Sequence, residues 1–361
     1  MNSIVTFILF ILMLTVIISV HEFGHFLSAK IFNVYVTEYS IGMGKKLFSC
    51  KGKETIFSVR MLPIGGYCAM VGDNDTALEN APEVDVESIP EERTLTGIAK
   101  WKKIIILLSG VFMNFILALF IVAMVYLSVG QAAVSPKPVI NEVTVNSPAY
   151  NAGLQKDDEI LEARLVNGYS IAPDTFAELS DFLNLYEEGE IKLKVRRNDE
   201  IIDISVTPAY NEETASYKMG ITSYEYDLAD INIFNCFSFA FSYLKEMTKL
   251  IWTSVLGLFK GVGLENLSGP VGIYNVTSQA VSYGLSSYFL LAAILSLNIG
   301  IFNLIPIPAL DGGRVVLTLI EAIIRRPIPK NVENFIMTAS VILFILIFIF
   351  ATGHDILKIL G

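Results

Sequence analysis

The chain has 361 residues, 53% of them hydrophobic and 17% charged, where soluble domains carry about 25% charged residues. This is a membrane-protein composition, and the formal net charge of −10 lacks the basic face that would make nucleic acid a partner. Cys50, Cys68 and Cys236 are widely spaced with no C-x-x-C pair, which excludes a disulfide framework and a thiolate zinc knuckle.

The first apolar run, residues 4–29, follows an "MNS" start with no Lys or Arg and no small-x-small cleavage site. It therefore reads as a retained transmembrane helix rather than a signal peptide. Three further segments meet the spanning length of roughly 17–25 residues: 104–129, 288–304 and 335–351. The expected architecture is a polytopic α-helical membrane protein with four transmembrane helices. Its domains are a first helix (1–30), a cytoplasmic loop (31–103), a second helix (104–130), an inserted domain (131–230), an amphipathic interfacial region (231–285) and helices three and four (286–361).

Lys30, Lys45, Lys46, Lys51, Lys53, Lys100, Lys102 and Lys103 follow the first span, and Arg314, Arg325, Arg326 and Lys330 lie between spans three and four. By the positive-inside rule both connections are cytoplasmic. Both termini and the insertion are then expected outside. Much of the acid gathers between Asp73 and Glu92.

At the end of the first span stands His21-Glu22-Phe23-Gly24-His25, an H-E-x-x-H motif. Residues four apart on a helix are turned by about 400°, a net of about 40°, so both imidazoles share a face and can bind one zinc ion. Glu22 lies to the side, within reach of a water in an open metal position, whose proton it can take and return to a leaving amine. Ionisable groups in a span default to function, against the alternative of hydrogen-bonded core histidines at a helix end. His21 sits about 25 Å along the helix from Ile4, near the cytoplasmic edge of a ~30 Å hydrocarbon core.

In the insertion, "IKLKV" and "IIDISV" flank the turn "RRNDE", and "DTFAELSDFLNLY" has helical spacing behind Asp174 as a candidate N-cap. The stretch "VNSPAYNAGLQKDDEILEARLVNG" resembles a bacterial PDZ domain, an α+β fold, with Lys156-Asp157-Asp158 where that family more often has glycine before the aspartate. A PDZ fold binds an extended peptide at its sheet edge; a spacer that limits access is the alternative. Phe234, Phe237, Phe241 and Leu244 then recur at helical spacing, interrupted for spanning by Lys245, Glu246 and Lys249. That pattern suits a helix lying at the membrane interface, or one packed on the insertion.

A catalytic zinc needs a third protein ligand. His354 follows the fourth span and is expected on the opposite side of the membrane. A carboxylate suits better. The third span ends "LNIGIFNLIPIPALDGGRVV", where Pro306 and Pro308 break the helix and Asp311 follows at similar depth. Broken membrane helices line cavities or ion and substrate sites; Asp311 as a helix N-cap is the alternative.

An H-E-x-x-H in the first span with N-x-x-P-x-P-x-L-D-G-G in a later one resembles the site-2 protease family of intramembrane zinc metalloproteases, of the bacterial regulator-of-sigma-E protease type. "EYSIGMGKKLFS" and "FSVRMLPIGGYCAMVGD" resemble its membrane-associated β-hairpin, "SGVFMNFILAL" its second-span Gly/Asn motif, and "SGPVGI" its segment before the third span. The resemblance implies Zn2+ held by His21, His25 and Asp311, with Glu22 as the catalytic carboxylate. It implies that Asn303, Pro306 and Pro308 shape the substrate cleft. It also implies that the hairpin, through Gly42, Gly44, Gly65 and Gly66, presents an edge to an unwinding substrate helix.

The implied substrates are single-span membrane proteins, anti-sigma-factor-like or remnant signal peptides, cut in a bacterial inner membrane. Room for one PDZ-like domain rather than two, and Arg314 where some relatives have histidine, depart from the family pattern. Other classes remain as alternatives: a catalytically silent PDZ-bearing membrane adaptor, or a metal transporter, which the lack of an internal repeat disfavours.

Overall fold

A computed structural model describes residues 3–73, 88–134, 136–184, 189–211, 216–258 and 269–360. In chain order the elements begin with α1 (Ser3–Ile31), β1 (Val36–Lys51), β2 (Ile56–Met70) and α2 (Lys100–Val129). Next come β3 (Gln131–Val134), β4 (Ile140–Val143), α3 (Pro148–Asn151), β5 (Glu159–Leu165), β6 (Ser170–Ile171) and α4 (Phe176–Asn184). Six strands follow: β7 (Ile191–Arg197), β8 (Glu200–Val206), β9 (Ala209–Asn211), β10 (Ser216–Lys218), β11 (Ile221–Ser223) and β12 (Asp227–Asp230). The chain then continues as α5 (Cys236–Leu258), α6 (Pro270–Tyr283), α7 (Leu285–Asn303), α8 (Asp311–Ile324) and α9 (Lys330–Leu360).

Among the described residues four helices are long and apolar enough to cross a membrane: α1, α2, α7 and, within α9, Asn331–Gly353. Each overlaps an expected span, α7 starting three residues earlier than hydropathy alone suggests. The acidic run of residues 74–87 and Ser268 of "SGPVGI" lie outside the described residues. The chain divides into two compact units, residues 1–125 with 268–361, and residues 126–267.

In the first unit the spanning helices meet through small and polar side chains, as expected where lipid is as apolar as leucine. Ser28 Oγ lies 2.7 Å from Ser109 Oγ, and Ser296 Oγ donates to the Asn114 carbonyl at 2.9 Å. Tyr288 Oη donates to Leu9 O at 3.0 Å over a cluster of Phe10, Met13, Ile17 and Ala292. The first turn of α6 has no cap of its own. A carboxylate from α9 serves instead, Asp355 Oδ2 accepting the Gly272 N–H at 2.7 Å.

The loop after α1 builds more than a two-stranded ribbon. Residues 38–41 pair with 66–69 and also with 56–59, and residues 56–59 pair again with 48–51. Four segments therefore lie side by side in the order 48–51, 56–59, 36–41, 66–70. The bends between them need backbone room: Gly42 has φ +84°, and a Cβ there would come 2.6 Å from Leu62 O. Glu38, wholly buried, holds the sheet together by accepting from Arg60 Nη2 at 2.9 and 3.1 Å and from Ser58 Oγ. Arg60 also donates to Gly44 O at 2.7 Å and stacks over the Tyr67 ring.

The second unit is aqueous in its logic. The sheet β6-β5-β7-β8 alternates buried and exposed positions along β7, and its inner face joins Leu179 and Phe182 of α4 in an aliphatic core. Asn198 and Asp199, at φ 49° and 66°, make the tight β7–β8 turn anticipated at "RRNDE". The helix α4 is capped one residue later than the sequence suggests. Thr175 Oγ1 accepts the Glu178 N–H at 3.3 Å, while Glu178 Oε2 accepts the N–H of Asp174, the residue before the cap, at 2.9 Å, so the returning bond sits one residue short of a full capping box. Asp158, wholly buried, is held by Arg197 through two 2.7 Å contacts.

Of the two readings of the 234–244 apolar pattern, contacts favour the packed one. Lys249 of α5 donates to Ala172 O, Asp174 and Glu178, and Thr253 O accepts from Tyr169 Oη at 2.6 Å. Leu244 is buried while Phe237 and Phe241 stay exposed on the helix. The expected interfacial region 231–285 thus divides, α5 belonging to one unit and α6 to the other.

Candidate metal centre

One helical turn apart on α1, His21 and His25 point their Nε2 atoms together at 3.2 Å. Asp311 Oδ2 closes the triangle at 3.0 Å from His21 and 3.4 Å from His25. Asp311 is the first residue of α8, not its cap: the cap position is Leu310, with no side-chain cap bond. The approach is set by the break that Pro306 and Pro308 impose after α7. Gly312 and Gly313 then let α8 press on that bend, a Cβ at Gly313 lying only 2.1 Å from Ile307 O.

Two nitrogens and one oxygen from His2Asp are a zinc donor set, and the edges of 3.0–3.4 Å match the roughly 3.3 Å edge of a tetrahedron built on ~2.0 Å bonds. Asp311 Oδ2 is buried without a hydrogen-bond partner among the described residues. Both histidines are buried. A Cβ on Gly110 of α2 would lie 2.4 Å from His25 Nε2 and 2.8 Å from His21 Nε2, so only glycine leaves the imidazoles their place. The residues fit the ion.

The outer nitrogens are also engaged. His25 Nδ1 donates to Ile106 O at 2.8 Å, which leaves its Nε2 lone pair free toward the cluster. His21 Nδ1 lies 3.3 Å from the side-chain amide of Asn114, a wholly buried residue of α2.

Glu22 stands beside this triangle against β2, where a Cβ on Gly66 would lie 3.8 Å from its Cγ. A cavity of about 460 Å³ opens on the centre, lined among others by Glu22, Gly66, Tyr67, Cys68, Asn303 and Arg314. Burial, and then the Glu38 carboxylate it bonds, push the Tyr67 phenol up to about 12, so it stays protonated at neutral pH. Burial, followed by the charge of Glu22, likewise holds the Cys68 thiol neutral. Arg314 Nη2 pairs with Asp73 at the wall of the cavity.

Of the residues expected to contact substrate, Gly66 and Asn303 line the cavity, whereas Gly42, Gly44, Gly65, Pro306 and Pro308 do not. Those glycines bend the sheet, and the prolines break the helix. Gly110 and Asn114 are the glycine and asparagine of the second-span motif that the resemblance picks out, and Tyr67 lies in its hairpin; the Ile106 carbonyl was not singled out from sequence. An asparagine in the middle of a span is a further signal for Asn114.

Comparison with known proteins bears on what such a centre does. "Putative zinc metalloprotease CA_C1796" of Clostridium acetobutylicum is 32% identical over 347 residues, covering 96% of each chain. "Putative zinc metalloprotease SA1105" of Staphylococcus aureus is 29% identical over 99% of each chain. "Regulator of sigma-W protease RasP" of Bacillus subtilis is 28% identical over 98% of this chain and 99% of its own. The class is that of membrane zinc metalloproteases of the site-2 protease type, which carry out regulated intramembrane proteolysis. Residues 9–347 match the model of "Peptidase family M50", and the chain belongs to that family.

Proposed function

We propose that this protease cleaves single-span membrane proteins, anti-sigma-factor-like substrates or remnant signal peptides, with His21, His25 and Asp311 as zinc ligands and Glu22 as the proton carrier. The observation that carries the reading is the 3.0–3.4 Å triangle of donor atoms with a carboxylate beside it that is not part of it. A zinc ion held there supplies Lewis-acid polarisation of a water and of a peptide carbonyl. Glu22, which lines the same cavity, takes the proton of the attacking water and hands it to the departing amine. The two imidazoles need deliver no proton; their outer nitrogens are already occupied.

A substrate helix hides its carbonyls in i to i−4 bonds and must be extended before cleavage. Residues 66–70 are the outermost segment of the β1–β2 sheet among the described residues, and they line the cavity. Their free edge can take over backbone bonds that a substrate loses on unwinding. Asn303, at the end of α7, offers an amide to the same cleft. Gly42, Gly44, Gly65 and the Pro306–Pro308 bend act at one remove, by shaping the sheet and the cleft.

The second unit reads as a PDZ-like domain for an extended peptide. Support comes from β11, whose single sheet partner among the described residues is β4. Lysine and arginine placement favours a bacterial inner-membrane protein with both termini and this domain outside, and the centre near the cytoplasmic face. A silent adaptor would have no use for buried, converging donors.

The deciding experiment is Glu22→Gln, assayed on a tagged single-span substrate in cells. Cleavage is expected to vanish while protein level and zinc content stay near wild type. Full activity in that variant would sink the reading.

A further inference from the structure

The two histidines are supported by groups of different kind. His25 Nδ1 faces the backbone carbonyl of Ile106 at 2.8 Å, which can only accept, so the proton is fixed on Nδ1. His21 Nδ1 faces a side-chain amide at 3.3 Å, which can present either a donor or an acceptor. That amide belongs to Asn114, wholly buried between α1 and α7 and anchored through its own carbonyl by Ser296.

With Nδ2 toward the ring, Asn114 donates to Nδ1, and the imidazole proton sits on Nε2, which lies 3.2 Å from His25 Nε2 and 3.0 Å from Asp311 Oδ2. With Oδ1 toward the ring, the amide accepts from Nδ1–H, and Nε2 presents a bare lone pair. In the first arrangement Oδ1 is left without a partner among the described residues, and in the second Nδ2 takes that same place. Hydrogen-bond satisfaction therefore does not choose between them. What faces Nε2 does.

We propose that Asn114 is the positioning residue of His21: its amide accepts from Nδ1–H through Oδ1, which leaves the Nε2 lone pair to a zinc ion. His21 is then held by a side chain and His25 by the backbone. This rests on the reading of His21, His25 and Asp311 as the ligand set. Partners of this kind set ring orientation and ligand basicity, and removing one typically costs about 10–100-fold in metal affinity.

The test is zinc affinity of the purified full chain in detergent, by competition with a chromophoric chelator, alongside the visible spectrum of the cobalt-substituted protein. Asn114→Leu, close in shape but without polar atoms, is expected to bind zinc about 10–100-fold more weakly and to alter the cobalt bands. Asn114→Asp presents an acceptor from either end and is expected to bind at least as tightly as wild type. Ser296→Ala removes the neighbouring helix–helix bond but leaves the amide, and is expected to keep wild-type affinity. Three results would each overturn the proposal: wild-type affinity in Asn114→Leu, a loss in Asn114→Asp as large as in Asn114→Leu, or an equal loss in Ser296→Ala. Should Asn114→Leu not fold, a tenfold loss in Asn114→Asp overturns it alone. Asp311→Ala in the same titration separates the layers: if it too keeps zinc, the ligand set fails and the proposal with it.

Discussion

Residues 126–267 and the spanning part of the chain sort the same side chains in opposite directions. In the inserted unit Ile140, Ile160, Leu179, Phe182, Ile191, Leu193 and Val195 fill the interior, and its buried charges, Asp158 and Glu178, are both paired. In the spanning unit Phe7, Phe112, Phe120 and Phe348 face outward, while His21, His25, Ser28, Asn114, Ser296 and Thr318 are buried. Water rewards hiding apolar area at about 25 cal/mol per Å², whereas lipid offers no such gain and leaves close packing and hydrogen bonds to hold helices together. A polar centre is therefore at home inside the helices and would be an anomaly in the inserted core. On the function proposed above, the chemistry falls to the spanning unit and recognition or access to the inserted one.

The sharpest way to break that division is at the centre itself. Asp311→Ala is expected to remove zinc and reduce cleavage to background, read by metal analysis of purified protein beside a substrate assay. Wild-type zinc content would strike Asp311 from the ligand set. Deleting residues 138–208, by contrast, is expected to leave cleavage in place or deregulate it, and total loss of function there would favour an adaptor. Next in size is Gly110→Ala. Its methyl would lie 2.4 Å from His25 Nε2, so zinc affinity is expected to fall at least about tenfold, by analogy with the loss of a ligand's support. Unchanged chelator competition in that variant would mean that α2 yields to the methyl.

Local features could be read from the chain. The 21–25 motif needs only helical periodicity, the Asn198-Asp199 turn only two residues tolerant of positive φ, and the spans only composition. Asp311 was reachable through a resemblance, because its partners lie on a helix far away in sequence. Gly110 was reachable only as the glycine of a motif known by resemblance, with no role attached. Its importance is a distance between two helices, and nothing in "LLSGVFMN" says which face meets the imidazoles. The sheet after α1 was legible as a ribbon but not as four paired segments, since the second pairing of residues 38–41 depends on how Gly42 and its neighbours bend the strands. Asp174 lost the capping role to Thr175 because both are good caps and only the fold decides which side chain meets the Glu178 N–H.

Stability tests sharpen the contrast at a smaller scale. Leu193→Ala in the wholly buried core is expected to cost about 2–5 kcal/mol, read as loss of amide protection across β5, β7 and β8 in hydrogen exchange on the full chain. Phe120→Ala, at a lipid-facing position 54% exposed, is expected to shift protection of α2 by under about 0.5 kcal/mol. Equal losses at the two sites would erase the inversion described above.

The smallest expected effect concerns the helix that joins the inserted unit late. Thr175→Ala removes a cap and is expected to cost about 0.5–2 kcal/mol, confined to α4. Lys249→Ala leaves that cap but takes away the cation that α5 extends to Ala172 O, Asp174 and Glu178. Its side chain is 36% exposed, so screening limits the loss to about 0–1 kcal/mol. The informative readout is where exchange quickens. Faster exchange in α5 as well as α4 means that the helix is held by the inserted unit, with Phe237 and Phe241 left to face outward. Faster exchange in α4 alone means that α5 is held from its exposed aromatic side, and the membrane-interface reading of residues 234–244 returns.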